Sequence, residues 1–316
     1  MILILSFSPN EHVDEVRTHL TRPHVVVDVG WFPSRLTLAF EADVDHGSLS
    51  FGLPDGTVVD LAGVGAVWRR RISPYGLDDG LDDETARLFA WSECDEALLG
   101  VWHTLPCFWM NAPVADEVAQ RKVHQLRVAR AVGLTVPDTV VTNDPHRARA
   151  FIDLHGPDNV IRKAFRNISQ APRQTAVVGR DGLAMLDAVR YAPVIFQRYV
   201  PAAADLRVTV VDGDVFAAEI VSPPEHAVDY RMGLHSATVR ACQLPDDVTD
   251  GLRDLMKHLG VAFGAIDLRR TPDGDHVFLE INPAGEYLFV SRRTGQPIPQ
   301  AIAAALERHD AAHAAT

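Results

Sequence analysis

Residues 261–283, VAFGAIDLRRTPDGDHVFLEINP, constrain this chain more tightly than any other stretch. Two apolar runs flank Pro272-Asp273-Gly274-Asp275, and Asp-Gly between alternating hydrophobics is the strongest short-range signal for a β-hairpin. Centring the turn on Asp273-Gly274 sets Ile266 opposite Ile281 and Leu268 opposite Leu279, which makes one face apolar. The other face then carries Asp267 directly opposite Glu280, with Asn282 two residues further on the same side. Facing carboxylates repel unless a cation lies between them. Hard oxygen ligands without His or Cys suit Mg²⁺, which takes its remaining ligands from water and phosphate. The competing reading is a hairpin whose polar face is simply wet.

The rest of the chain sets the boundaries. At 316 residues and 47% apolar content, it can bury a large core divided over two or three domains. A formal net charge of −12 argues against nucleic acid and anionic membranes as partners. No run reaches the ~20 apolar residues that span a bilayer, and the apolar opening is too short for a signal peptide and reads as a strand. Cys94, Cys107 and Cys242 show neither metal spacing nor a disulfide framework, so a reducing, cytoplasmic location is expected.

Periodicity predicts a small α/β domain first, with strands over 1–7, 24–29, 36–40 and 64–69, a hairpin around Pro54-Asp55-Gly56, and helices over 11–20 and 83–102. No GxGxxG follows the first strand. Trp68-Arg69-Arg70-Arg71 is the sharpest feature there, either a solvated strand end or a contact for an anion, a peptide or the neighbouring domain. A helix is then expected from Pro113 to Gly133, with Val118, Lys122, Leu126 and Ala129 on one stripe. Strands over 136–142, 160–165, 174–178 and 194–200 alternate with helices over 145–155 and 183–191. Lys163 interrupts an apolar strand, where a free ammonium is costly to bury. The polar loop 166–173 could fold over phosphate, but it has no glycine and no Walker pattern. A second hairpin forms around Asp212-Gly213-Asp214, in a register the sequence leaves open. Helices follow over 249–260 and 298–308, and a frayed tail over 310–316. No nucleophile–base motif or paired-Cys motif occurs, and none of the 14 histidines has a second ligand at useful spacing.

Lys122, Lys163, Gln197-Arg198-Tyr199-Val200, Asp205-Leu206-Arg207, Asp267, Glu280 and Asn282 occur in the order found in ATP-grasp ligases. Asn111-Ala112-Pro113, Asp229-Tyr230-Arg231 and the run from Phe278 to Gly285 look most like one branch, the graspetide (microviridin-type) maturases of ribosomal peptides. The resemblance runs from Asn111 to the last helix, and more weakly into the Trp-Arg-Arg of the first domain. It implies an α/β (α+β) ATP-grasp fold with an N-terminal pre-ATP-grasp domain over 1–112, ATP-grasp subdomains over 113–200 and 201–309, and a flexible tail over 310–316. It further implies an ATP- and Mg²⁺-dependent ligase that activates Asp or Glu side chains of a precursor peptide, leader plus core, as acyl phosphates and closes ω-ester or ω-amide links. Lys122 and Lys163 would contact the α- and β-phosphates. The hinge at Gln197, Tyr199 and Val200 would read adenine, and Asp205 the ribose. Asp267, Glu280 and Asn282 would hold Mg²⁺, and Arg207 and Arg231 would steady the γ-phosphate and acyl phosphate. Arg198 departs from the acidic residue common at the family hinge, and Glu286 and Ser291 depart from the amide and the acidic residue of relatives. A RimK-like amino-acid ligase and a non-catalytic nucleotide-binding module remain alternatives, and a homodimer is left open.

Overall fold

A computed structural model describes residues 1–42, 47–165 and 175–315. The phosphate-loop expectation for 166–173 therefore lies outside the described residues.

The apolar opening becomes β1 (Ile2–Ser6), buried at every position. It is followed by α1 (Glu11–Arg17), β2 (His24–Val27), β3 (Thr37–Ala42), β4 (Gly47–Gly52), β5 (Val58–Asp60), β6 (Ala66–Arg71), α2 (Glu84–Thr104) and β7 (Phe108–Met110). Strands β2-β1-β6-β7 form a parallel sheet, and the unbroken apolar run of β1 suits a strand covered on both faces. Strands β3, β4 and β5 make a separate antiparallel sheet. Helix α2 starts where its cap was expected, the Asp83 carboxylate accepting the Ala86 N–H at 2.7 Å.

Next come α3 (Pro113–Ala119), α4 (Lys122–Ala131), β8 (Thr139–Thr142), α5 (Pro145–His155), β9 (Val160–Lys163), β10 (Ala176–Val177), α6 (Gly179–Ala184) and β11 (Val194–Arg198), with an antiparallel sheet ordered β10-β9-β11-β8. The last third holds β12 (Ala204–Val211), β13 (Asp214–Val221), β14 (Thr238–Cys242), α7 (Asp246–Leu259), β15 (Phe263–Arg270), β16 (His276–Asn282), α8 (Leu288–Thr294) and α9 (Ile298–His313). Its sheet is antiparallel in the order β14-β13-β12-β15-β16. One core cluster runs from β1 and β6 through Tyr287 to α9, so the first and last thirds share buried contacts.

Several expectations change. The helix expected over 113–133 is two helices, because Arg121 is extended (ψ 102°) and the Gln120 amide turns back to the Asp116 carboxylate at 2.9 Å. The break leaves Val118 exposed instead of on a buried stripe, and makes Lys122 the first residue of α4. It also lets Gln125 reach the edge of β16, donating to the Ile281 carbonyl (2.8 Å) and accepting its N–H (3.2 Å). The helix over 183–191 is instead α6 followed by a 3₁₀ turn at Leu186–Tyr191. Strands β7 and β14 and helix α8 were not expected. The tail is not frayed at Asp310: α9 continues to His313, and Asp310 is buried against the Met1 ammonium and Arg22 Nε, both at 2.6 Å.

Both hairpins settle their registers locally. Asp212 and Gly213 both take positive φ (47° and 93°), so a two-residue turn pairs Val211 with Asp214. In the β15–β16 hairpin the turn is one residue longer than a turn centred on Asp273-Gly274. The Thr271 N–H donates to the Asp275 carbonyl at 2.9 Å and Gly274 takes φ 95°. Leu268 therefore pairs with Phe278, not Leu279. A β-bulge at Leu279 then restores the count, so Asp267 does face Glu280, and Ile266 faces Ile281.

Candidate active site

Between the central sheet and the C-terminal sheet lies a half-open cleft of about 870 Å³, the open solvent at its mouth included. Lys122, Ile161, Lys163, Gln197, Arg198, Val200, Asp205, Tyr230, Arg231, Asp267, Arg269, Leu279 and Glu280 line it, among others. The apolar lining comes from Ile161, Ala164, Phe165, Val200, Val228 and Leu279, and the bulge is what turns Leu279 to the same side as Glu280.

The site's charges come from different elements and compensate one another. Lys122, at the start of α4, forms an ion pair with Glu280. Burial pushes the Glu280 acid up, but Lys122 and then Lys163 outweigh it and hold the group at about 2, so it is ionised. Lys163, at the end of β9, is pushed below its ordinary value by burial, with Glu280 opposing that shift and Lys122 adding to it. Asp267 accepts from Arg207 Nη1 at 2.9 Å and from the Tyr230 hydroxyl at 3.0 Å. Burial raises the Tyr230 phenol far above its ordinary range, which keeps it a donor. Asn282 is exposed at the end of β16, its Oδ1 accepting the Ala284 N–H at 3.0 Å.

The donor set fits Mg²⁺. Two carboxylates face each other on adjacent strands, an amide oxygen follows on the same strand, and every donor is a hard oxygen. Among the described residues no three His, Cys, Asp or Glu side chains gather as a closed metal cage. A site with two carboxylates suits an ion that completes its shell from phosphate and water.

The arginines separate into roles. Arg231 lines the cleft, its guanidinium held by Asp229 through Nε (2.7 Å) and Nη2 (2.6 Å), and that contact raises its pKa. Arg207 is buried behind Asp267 and outside the cleft wall, with its other nitrogens on the Glu286 carbonyl (2.9 and 3.3 Å). At the hinge, the N–H groups of Arg198 and Tyr199 already donate to the Asp138 carbonyl (2.8 Å) and the Asn159 carbonyl (2.7 Å). The Val200 N–H has no partner among the described residues. Gln197 is tied into the sheet through Thr139 Oγ1 at 2.9 Å, and the Tyr199 ring lies outside the cleft wall. Asp205 is in the cleft wall but is paired with Arg269 at 2.9 Å.

Sequence reasoning overlooked Arg269 and undervalued Tyr230. A signal was present: Asp-Leu-Arg occurs twice, at Asp205-Leu206-Arg207 and Asp267-Leu268-Arg269. Antiparallel pairing of β12 with β15 sets each Asp opposite the other copy's Arg.

The run Arg69, Arg70 and Arg71 is not an open patch. Arg69 pairs with Asp116 at 2.9 Å, Arg70 is buried against the Ala284 carbonyl and 3.4 Å from Glu286, and Arg71 is 2.7 Å from Glu286. His12 completes this cluster on the Glu286 carboxylate. The arginines thus meet the neighbouring subdomain.

Residues 1–117 match the MvdD pre-ATP grasp domain. A search of curated proteins finds no match. Among solved structures, the macrocyclase MdnC from Microcystis aeruginosa MRC, bound with the precursor peptide MdnA, is similar with a TM-score of 0.86 and 30% identity, covering 97% of this chain and 99% of that one. A RiPP-associated ATP-grasp ligase from Chryseobacterium gregarium, in complex with ADP and a leader and core peptide, gives 0.88 at 26% identity, covering 97% and 96%. The ligase PsnB, complexed with minimal precursor, Mg and ADP, shares the fold at 0.79 and 24% identity, covering 98% of each chain. With a pre-ATP-grasp domain at its start and a full-length likeness to a peptide macrocyclase at 30% identity, the chain belongs to the graspetide-type ATP-grasp ligases, ADP-forming enzymes that cross-link peptides.

Proposed function

We propose that this chain binds ATP with Mg²⁺ in the cleft between its central and C-terminal sheets, and joins Asp or Glu side chains of a precursor peptide to hydroxyl or amino side chains of the same peptide. The observation that carries the proposal is the convergence of two lysines and two facing carboxylates at one cleft, beside a hinge whose Val200 N–H has no partner among the described residues. Adenine lies against Ile161, Val200 and Leu279, with the Val200 N–H as its donor. Lys122 and Lys163 give up their shared carboxylate neighbour Glu280 and meet phosphate oxygens, as flexible point charges do well. Asp267, Glu280 and Asn282 would hold Mg²⁺, which when bound neutralises charge on the β- and γ-phosphates.

The substrate carboxylate attacks the γ-phosphorus, and the bond from that phosphorus to the β-bridging oxygen breaks, giving ADP and an acyl phosphate. An acceptor hydroxyl or amine then attacks the acyl carbon, loses its proton, and releases phosphate. Arg231, exposed on one side and oriented by Asp229 on the other, steadies the reacting carboxylate. Arg207 acts from behind, fixing Asp267. The domain boundaries expected from sequence, near 112 and 200, remain part of this proposal.

The test is co-expression with a small acidic peptide encoded beside the gene, followed by mass measurement. Loss of one water mass per link, with ADP release by the purified chain, is expected. An unmodified peptide together with no ATP-induced rise in melting temperature would overturn the reading.

A further inference from the structure

Arg269 makes more polar contacts than any role assigned so far explains. The residue is 4% exposed. Its Nε donates to Asp205 Oδ1 (2.9 Å), Nη1 to the Val200 carbonyl (2.8 Å), and Nη2 to the carbonyls of Ala227 (2.6 Å) and Val228 (3.2 Å). Its guanidinium carbon lies 5.3 Å from the centroid of the Tyr199 ring. Four acceptors on three chain segments match the planar five-donor fork of arginine, and no other side chain could span them.

Those segments differ in how firmly they are held. Asp205 belongs to β12, in the middle of the C-terminal sheet. Val200 belongs to the hinge. Ala227 and Val228 belong to a stretch between β13 and β14 that contains only 3₁₀ turns, Pro224–His226 and Tyr230–Gly233. With no strand ladder across it, this stretch is held by its own turns and by side-chain tethers, among them the bonds of Arg269 and a longer one from the Tyr199 hydroxyl to the Ala227 carbonyl (3.3 Å). It is also the stretch that carries Asp229, Tyr230 and Arg231, and so sets the donor on Asp267 and the arginine facing the substrate.

We infer that Arg269 is a positioning residue that passes nucleotide occupancy at the hinge to the Tyr230–Arg231 stretch. Nucleotide bound at the Val200 N–H orders Val200. The Val200 carbonyl then holds Arg269 more firmly in the arrangement that also grips Ala227 and Val228, so ATP shifts the carboxylate-binding groups further toward the docked form. This ordering admits the reactive carboxylate to a site that already holds its phosphoryl donor. The inference rests on the reading of the cleft as a nucleotide site, and the coupling it describes is a bias between docked and undocked forms of one short stretch.

The experiment is hydrogen exchange of the purified chain, free and with ADP and Mg²⁺, followed separately in peptides covering 194–200 and 224–233. In the wild type, nucleotide should slow exchange in both by about tenfold or more. Arg269→Lys keeps a positive charge near Asp205 but cannot span the three segments. It should retain the slowing over 194–200 and lose it over 224–233. Arg269→Met should do the same, and the Lys variant keeps the test open if the Met variant does not fold. A merely structural role predicts faster exchange over 224–233 in the free variant with the nucleotide effect intact, and that result would overturn the inference. Slowing over 194–200 but not 224–233 in the wild type would also overturn it, while leaving the nucleotide site standing. Slowing at neither place in the wild type would remove both.

Discussion

Two ion pairs in this protein are built from the same three residues. Asp205-Leu206-Arg207 and Asp267-Leu268-Arg269 lie antiparallel on β12 and β15 and are joined by two 2.9 Å contacts, Arg207 to Asp267 and Arg269 to Asp205. Both pairs are almost wholly buried, so neither local sequence nor exposure tells them apart. What differs is the next contact outward. Beyond Asp205 and Arg269 lie backbone carbonyls and the Tyr199 ring, all of them parts of the protein itself. Beyond Asp267 lie Tyr230, the facing Glu280 and, past that, Lys122 and Lys163 around open space. One pair is closed by the protein, and the other borrows compensation that a ligand could replace. A buried pair is weak evidence for either stability or function until the groups behind it are known.

The sharpest way to break this comparison is to remove one member of the closed pair. Arg269→Met leaves the Asp205 carboxylate buried without its cation and should cost about 3–5 kcal/mol of stability, read by urea denaturation. Adding Asp205→Asn should recover part of that loss. A variant as stable as the wild type would mean the two pairs are not different in kind. On the open side the effect should fall on chemistry. Glu280→Gln should lower ADP release by on the order of 10²–10³-fold while the chain keeps its melting temperature within a few degrees. Near wild-type turnover would remove Glu280 from the metal set.

A smaller effect is expected from the lysines that compensate the open pair. Burial already disfavours the charge of Lys163, so Lys163→Ala should leave the ligand-free protein as stable as before or slightly more so. Nucleotide at 100 times its Kd stabilises a binder by about 2.7 kcal/mol, and most of that gain should vanish in the variant. An unchanged ATP-induced melting shift would return Lys163 to an ordinary strand residue.

The smallest effect belongs to the cluster around Glu286. Its hydrogen bond from His12, together with Arg70 and Arg71, holds this carboxyl at about 2 against burial. A depressed acid contributes stability above its unfolded value of about 4.3, and that contribution is lost as pH falls through the folded value. Glu286→Gln should therefore melt slightly below the wild type at pH 7, and the gap should close between about pH 4.5 and 2. A gap that stays constant with pH would show that the Glu286 charge adds nothing.

Much of this was legible in the sequence because it was local. The facing of Asp267 and Glu280 was read from a two-residue turn and a period of two, and it holds because the longer turn and the bulge at Leu279 cancel, while the cap of α2 comes from a single residue. What was hidden depends on contacts distant in sequence. The break at Arg121 serves Gln125, whose partner Ile281 is 156 residues away. The burial of Arg70 depends on the carbonyl of Ala284, and the order of Asp310 on the first residue of the chain. Arg207 was expected at phosphate only because the family resemblance implies it, and a motif match cannot say that a carboxylate on the next strand already occupies its guanidinium.

The extra residue at Leu279 has a consequence for chain length. If Leu279 were deleted, the outer ladder of the hairpin would continue without interruption, and Asp267 would still meet Glu280. The register of the carboxylates therefore does not need it. What the supernumerary position adds is a leucine side chain on the charged face, as part of the cleft floor, and a bend in the strand. On the proposed reading of the cleft, a homologue one residue shorter here would keep its two carboxylates facing and lose part of the apolar wall offered to the nucleotide base. On that reading, gaps at this point would change how tightly a nucleotide is held, separately from any change in the charged residues on either side.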